Sequence, residues 1–202
     1  MMSKHYGDHR AQTATPAVSL RERPEQALFH ISFSVEIETV SAALGVLKRA
    51  ALRLDELAAP TQSTVVVERF DLPHEPGKQD TAPSSLHLTL TVPLARQAST
   101  WERAAQLAQV DDMLRALVQE GRKYKPRLDV HRALPVFLVA DPEAYRPTLV
   151  KRLHERARSL GDGRVVLLKE LRFDRPVEQR SLGLDQVELS LNVEGLAEVQ
   201  LA

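Results

Sequence analysis

This 202-residue chain predicts an α+β fold: an antiparallel or mixed sheet with one face covered by about three helices. Three alternating stretches carry that expectation. In "LFHISFSVEIE", Phe29, Ile31, Phe33, Val35 and Ile37 fall on one side, and His30, Ser32, Ser34, Glu36 and Glu38 on the other. In "SLHLTLTV", Leu86, Leu88, Leu90 and Val92 oppose His87, Thr89 and Thr91. In "QVELSLNVE", Val187, Leu189, Leu191 and Val193 oppose Glu188, Ser190, Asn192 and Glu194. A period of two means a strand with one dry and one wet face, and one-sided sheets are typically antiparallel with helices on the dry side.

The elements follow in chain order. Residues 1–26, "MMSKHYGDHRAQTATPAVSLRERPEQ", are polar and broken by proline, which predicts a flexible tail ahead of a single domain over 27–202. After the first strand, Val40, Ala43, Leu44, Leu47, Ala51, Leu54 and Leu57 recur at helical spacing, with Thr39 or Ser41 as N-cap. "STVVVERFDL" reads as a strand that forms a long-looped hairpin with the one around Leu88. Trp101, Ala104, Leu107, Met113, Leu114, Leu117 and Val118 predict a second helix, capped by Ser99 or Thr100 and ending near Gly121. "DVHRALPVFLVA" and "RVVLLKELRFD" are further strand candidates. The expected order is β-α-β-β-α-β-α-β-β.

The third helix lies in "DPEAYRPTLVKRLHERARSL", residues 141–160. Asp141 suits the N-cap, Pro142 the first turn, and Pro147 marks where the regular helix starts or bends. At about 100° per residue, Leu149, Val150, Leu153, Ala157 and Leu160 share one stripe, with Lys151, Glu155 and Arg158 opposite. Arg152 and Arg156 flank the stripe, where their stems cover apolar surface. This is a helix packed on a sheet with one wet side. It lacks the bulky aromatics of a membrane-surface helix.

Composition narrows the function. Lys plus Arg equals Asp plus Glu at 27 each, so the basic excess of a dedicated nucleic-acid binder is absent. The span 122–158 is locally basic, with ten Lys or Arg against four Asp or Glu, which leaves a weak anion or nucleic-acid binder as an alternative. Without cysteine there is no disulfide, Cys-ligated zinc, iron–sulfur cluster or thiol nucleophile. The early residues hold no apolar signal-peptide core and no run is long enough to span a membrane, which predicts either a cytoplasmic protein or a chain from which a targeting segment is missing.

Few residues suggest chemistry. His5, Asp8 and His9 would hold a metal only if their segment were helical. His30 and His87 lie on wet strand faces and are neighbours if their strands pair; with nearby carboxylates they form the alternative of a hydrolase site. His74 and Glu75 sit in a proline-rich loop, His131 stands beside Arg132, and His154 lies on a polar helix face. Asp111 and Asp112 diverge on a helix and make no shared-proton dyad. Ser84, Ser85 and Ser181 lack a nucleophile-elbow context, and Gly161, Gly163 and Gly183 read as a helix stop and turns. No catalytic residue, metal or cofactor is expected from these patterns.

Three stretches together resemble one family. "FSVEIETVSAALGVLKRAALRLDEL", "LPVFLVADPEAYRPTLVKRLHERARSLGD" and "LDQVELSLNVE", joined by "SLHLTLTVPL", are similar to the SIMPL domain family of bacterial envelope proteins over roughly residues 28–196. The resemblance rests on apolar spacing around one Asp-Pro-Glu turn. The arginine-rich helix departs from the family's alanine-rich one. The resemblance implies a non-enzymatic α+β domain, no established catalytic residues, a homo-oligomer or protein partner, and a periplasmic location where a targeting segment is present.

Overall fold

The computed structural model describes residues 18–37, 39–72, 83–160, 165–172 and 175–200. The strands are β1 (Val18–Glu22), β2 (Gln26–Val35), β3 (Thr64–Asp71), β4 (Ser84–Pro93), β5 (Leu128–Arg132), β6 (Val136–Leu138), β7 (Val165–Arg172), β8 (Glu178–Gly183), β9 (Gln186–Leu191) and β10 (Glu194–Gln200). The helices are α1 (Val40–Ala58), α2 (Thr100–Gly121) and α3 (Arg146–Leu160). The α+β class is as the sequence predicts, and β1 with β9, β7 with β10, and β2 to β6 among themselves all pair antiparallel.

Chain contacts divide the protein into two compact units, where the sequence suggests one domain: 23–140 with 181–186, and the remainder. In the larger unit the sheet order is β3-β4-β2-β5, with β6 also pairing β2. The alternation predicted for β2 and β4 is what seals it. Phe29, Ile31, Phe33, Val35, Leu86, Leu88, Leu90 and Val92 are buried together with Ala43, Leu47 and Leu54 of α1 and Val110, Leu114 and Leu117 of α2. Two predicted apolar positions, Val40 and Leu44, are exposed, and so is Trp101; Val46, Ala50 and Val110 take the buried places. Thr39 is the N-cap of α1. Ser99 caps α2 in a reciprocal box with Glu102. Gly121 is required where α2 ends: an added Cβ would lie 2.9 Å from the Leu128 carbonyl oxygen.

"DVHRALPVFLVA" is two strands rather than one. Pro135 has no N–H to donate to the ladder, and the register against β2 slips by one residue between Ile31↔Arg132 and Leu28↔Val136, so β5 ends at Arg132 and β6 begins at Val136.

In the smaller unit β9 lies between β1 and β8, and β7 pairs with β10. The segment expected as a tail to residue 26 is therefore a strand over Val18–Glu22. Val18 and Leu20 alternate with exposed Ser19 and Arg21 and are buried, a two-residue apolar pattern too short to stand out from its polar surroundings. Residues 1–17 lie outside the described residues. Of the α3 stripe, Leu149, Leu153 and Ala157 are buried and Val150 is half-buried, the Leu160 side chain lies outside the described ones, and Lys151, Glu155 and Arg158 opposite are exposed. Residues 142–145 form a separate 3-10 turn capped by Asp141, so α3 starts at Arg146, beside Pro147.

Candidate functional site

The wet face of the larger unit's sheet collects the polar residues of greatest chemical interest. Register places His30 opposite Thr89, and Ser32 opposite His87 on one side and His131 on the other. Three histidines from β2, β4 and β5 thus share one face. They line an open hollow of about 350 Å³ with Ser32, Glu68 and Arg132.

A bulge completes the arrangement. β3 pairs Val67 with Leu88 but Arg69 with His87, so Glu68 is the extra residue. Freed from the ladder, its side chain turns onto the wet face, which is what bulges beside functional sites commonly do. The Thr89 hydroxyl donates to Glu68 Oε1. Its single proton being spent there, the hydroxyl oxygen accepts from His30 Nδ1, 3.1 Å away. Thr89 is only 8% exposed, unusual for a threonine on a wet face, because these partners cover it. His87 Nε2 lies 3.1 Å from Asp71 Oδ2, and Arg69 Nε donates to the same oxygen at 3.1 Å while lying 3.0 Å from Oδ1. Arg69 Nη2 also lies 3.5 Å from His87 Nε2, but the shorter contact is to a carboxylate, which only accepts, and it puts the proton of the neutral ring on Nε2. His87 is thus held through one nitrogen by a carboxylate, and His30 through one nitrogen by the Thr89 hydroxyl that Glu68 holds; in the neutral rings the other nitrogen carries a lone pair.

Of the sequence candidates, His30, His87 and His131 come together. Asp111 ion-pairs with Arg115 at 2.7 Å and with Arg132. His154 is exposed on α3, and the Ser181 hydroxyl accepts from the Phe137 N–H at 3.2 Å. Ser84 is buried at the start of β4, with Ser85 half-buried beside it. His5, Asp8, His9, His74, Glu75, Gly161 and Gly163 lie outside the described residues. The basic span 122–158 is shared between the two units, ending with α3 in the smaller one. There, a second surface hollow, of about 400 Å³, lies over Ser19, Arg152 and Arg156, with Arg152 already donating to the Ser19 carbonyl at 3.2 Å.

Two arrangements were hidden from the sequence. Arg103, fully buried on α2, donates to the carbonyls of Ala95 at 2.9 Å and of Arg96 and Leu184 at 3.3 Å, which fixes the turn between β8 and β9. Burial and the charge of Arg23 push its pKa below the usual arginine value, against the pull of Asp185. The Asp-Pro-Glu turn is a structural joint. Asp141 accepts from the N–H groups of Glu143 and Ala144, and Glu143 accepts from Arg146 Nε at 2.6 Å and from the Val177 N–H at 2.8 Å. Those bonds, with Arg146's foremost, hold the Glu143 carboxyl below its ordinary range.

β3 is an end strand whose pairing among the described residues is with β4 alone, and its Val66 and Val67 are 54% and 56% exposed. No helix is long and apolar enough to cross a membrane among the described residues.

No family model and no curated protein matches the chain. Among solved structures, one described as a hydrolase from Listeria innocua aligns over 90% of this chain and 94% of its own, at 14% identity and a TM-score of 0.19. A score that low carries no structural argument.

Proposed function

We propose that this chain is a non-enzymatic, SIMPL-like domain that works by self-association through β3. One observation carries the reading: an eight-residue end strand, Thr64–Asp71, presents two valines more than half exposed. An end strand offers a row of backbone N–H and C=O groups, and apolar side chains on it favour a second strand over water. The run Val65-Val66-Val67 is symmetric about Val66, so an antiparallel pair of β3 strands related by a two-fold axis sets valine against valine. The closing alternating strand, 187–193, offers no such edge, because β9 is flanked by β1 and β8.

The absence of cysteine makes the test clean. Val66→Cys introduces a single thiol, and mild oxidation should link two copies through it, because facing strand residues stand about 4.5–5.5 Å apart at Cα, within disulfide reach. Absence of a linked dimer from Val66→Cys, while the protein stays folded, contradicts the pairing.

A second reading, a hydrolase using His30 and His87, is favoured by the carboxylate contact of each ring. It calls for a turnover against ester or phosphoester substrates that His87→Ala abolishes without unfolding the domain. The anion-binder reading has no comparable support, since its basic residues are distributed over both units.

A further inference from the structure

We infer that the hollow on the wet face of the larger unit binds a divalent transition-metal ion between His30 Nε2 and His87 Nδ1. This is independent of the pairing of β3. Three features point to it. First, His30 lies opposite Thr89 and His87 opposite Ser32, so the two histidines are diagonal neighbours on adjacent strands of one face. Such residues are about 7–8 Å apart, a span that two imidazoles close around an ion with metal–nitrogen bonds of about 2.0–2.1 Å.

Second, the protons are already placed. The Thr89 hydroxyl gives its proton to Glu68 and so receives one from His30 Nδ1, leaving His30 Nε2 with a lone pair. Asp71 receives the proton of His87 Nε2, leaving Nδ1 with a lone pair. An imidazole whose N–H is held by a carboxylate, directly or through one hydroxyl, has its ring oriented and its basicity raised, the arrangement that surrounds metal-bound histidines. Third, the donor chemistry selects the ion. Imidazole nitrogens suit zinc, nickel, cobalt and copper, whereas magnesium and calcium need oxygen ligands. Among the described residues no three His, Asp or Glu side chains converge on one point. The ion is therefore held by two protein ligands, with water in its remaining positions.

The test is a titration of the full chain, without a histidine tag, with zinc by calorimetry and with cobalt by visible absorption. A parallel titration of the H5A/H9A variant removes the imidazoles of the N-terminal segment. One ion per chain is expected, unaffected by H5A/H9A and weakened at least about tenfold by H30Q or by H87Q. Thr89→Val keeps both imidazoles but frees His30, and should weaken binding about 10–100-fold. Acidification should release the ion, since only neutral imidazole ligates. No binding at millimolar zinc, binding lost in H5A/H9A, or binding unchanged in H30Q or H87Q overturns the proposal. Circular dichroism of each variant confirms that the fold is retained, and T89V supplies the answer if a histidine variant unfolds.

Discussion

Arg103 concentrates the energetics of single residues. Its guanidinium is buried and satisfies three carbonyls, while Nε finds no partner among the described residues. Arg103→Ala leaves those carbonyls unmade as well as a cavity, and should cost about 2–4 kcal/mol by denaturant unfolding. Lysine lacks the planar fork and should not restore the loss. Glu102 and Glu143 give the pH dependence. Hydrogen bonds from Ser99 lower the pKa of Glu102, and the bond from Arg146, then the Val177 N–H, lowers that of Glu143. A carboxyl whose folded pKa lies below its unfolded one stabilises the fold above the ordinary carboxylate range and loses that contribution as pH falls through the folded value. The thermal midpoint of Glu143→Gln should accordingly lie below the wild type's near neutrality, and the two should converge in acid. A constant gap across that range would contradict the assignment. Residue roles of this kind were the least legible in the sequence. Arg103 sits on a helix with a weak apolar stripe and reads there as one more solvated charge. Glu68 reads as an alternating strand residue, because a bulge leaves no mark in a single sequence.

Elements were far more legible, because alternation and helical spacing report burial directly. β2, β4 and β9 follow from period two, and α1, α2 and α3 from their spacing and caps. The sequence missed β1, β8, β10 and the break between β5 and β6, where runs are short or polar and their pairing depends on distant strands. α3 tests the helical reading. Leu153 is fully buried and Arg158 exposed, so Leu153→Ala should cost about 2–5 kcal/mol and Arg158→Ala under about 0.5 kcal/mol. A reversal of those costs would mean that the basic side faces inward. β1 reverses the expectation of a dispensable tail. Deleting residues 1–25 removes the partner of β9 along Val18–Glu22 and the buried Val18 and Leu20, so the thermal midpoint should fall by several degrees. An unchanged midpoint would show that β1 contributes nothing to the fold.

At the scale of the whole molecule, the two faces of the larger unit's sheet and its end strand β3 differ in the side chains they present. The dry face holds the core under α1 and α2. The wet face gathers His30, His87 and His131 beside Glu68 and Asp71. Sequence alternation placed His30 and His87 there, and only strand register brought His131 to them. The edge, β3, is where we propose that a second copy adds. Natural sheets guard such edges with charge, and β3 carries Glu68 and Arg69 at its bulge but valines over 65–67. Sedimentation equilibrium of the wild type beside the V66K/V67K variant tests this most directly. The account predicts a wild-type mass of two chains or more that falls to one chain of 22.6 kDa in the folded variant. A wild type that stays monomeric at high concentration, or a variant with the same mass as the wild type, would contradict it.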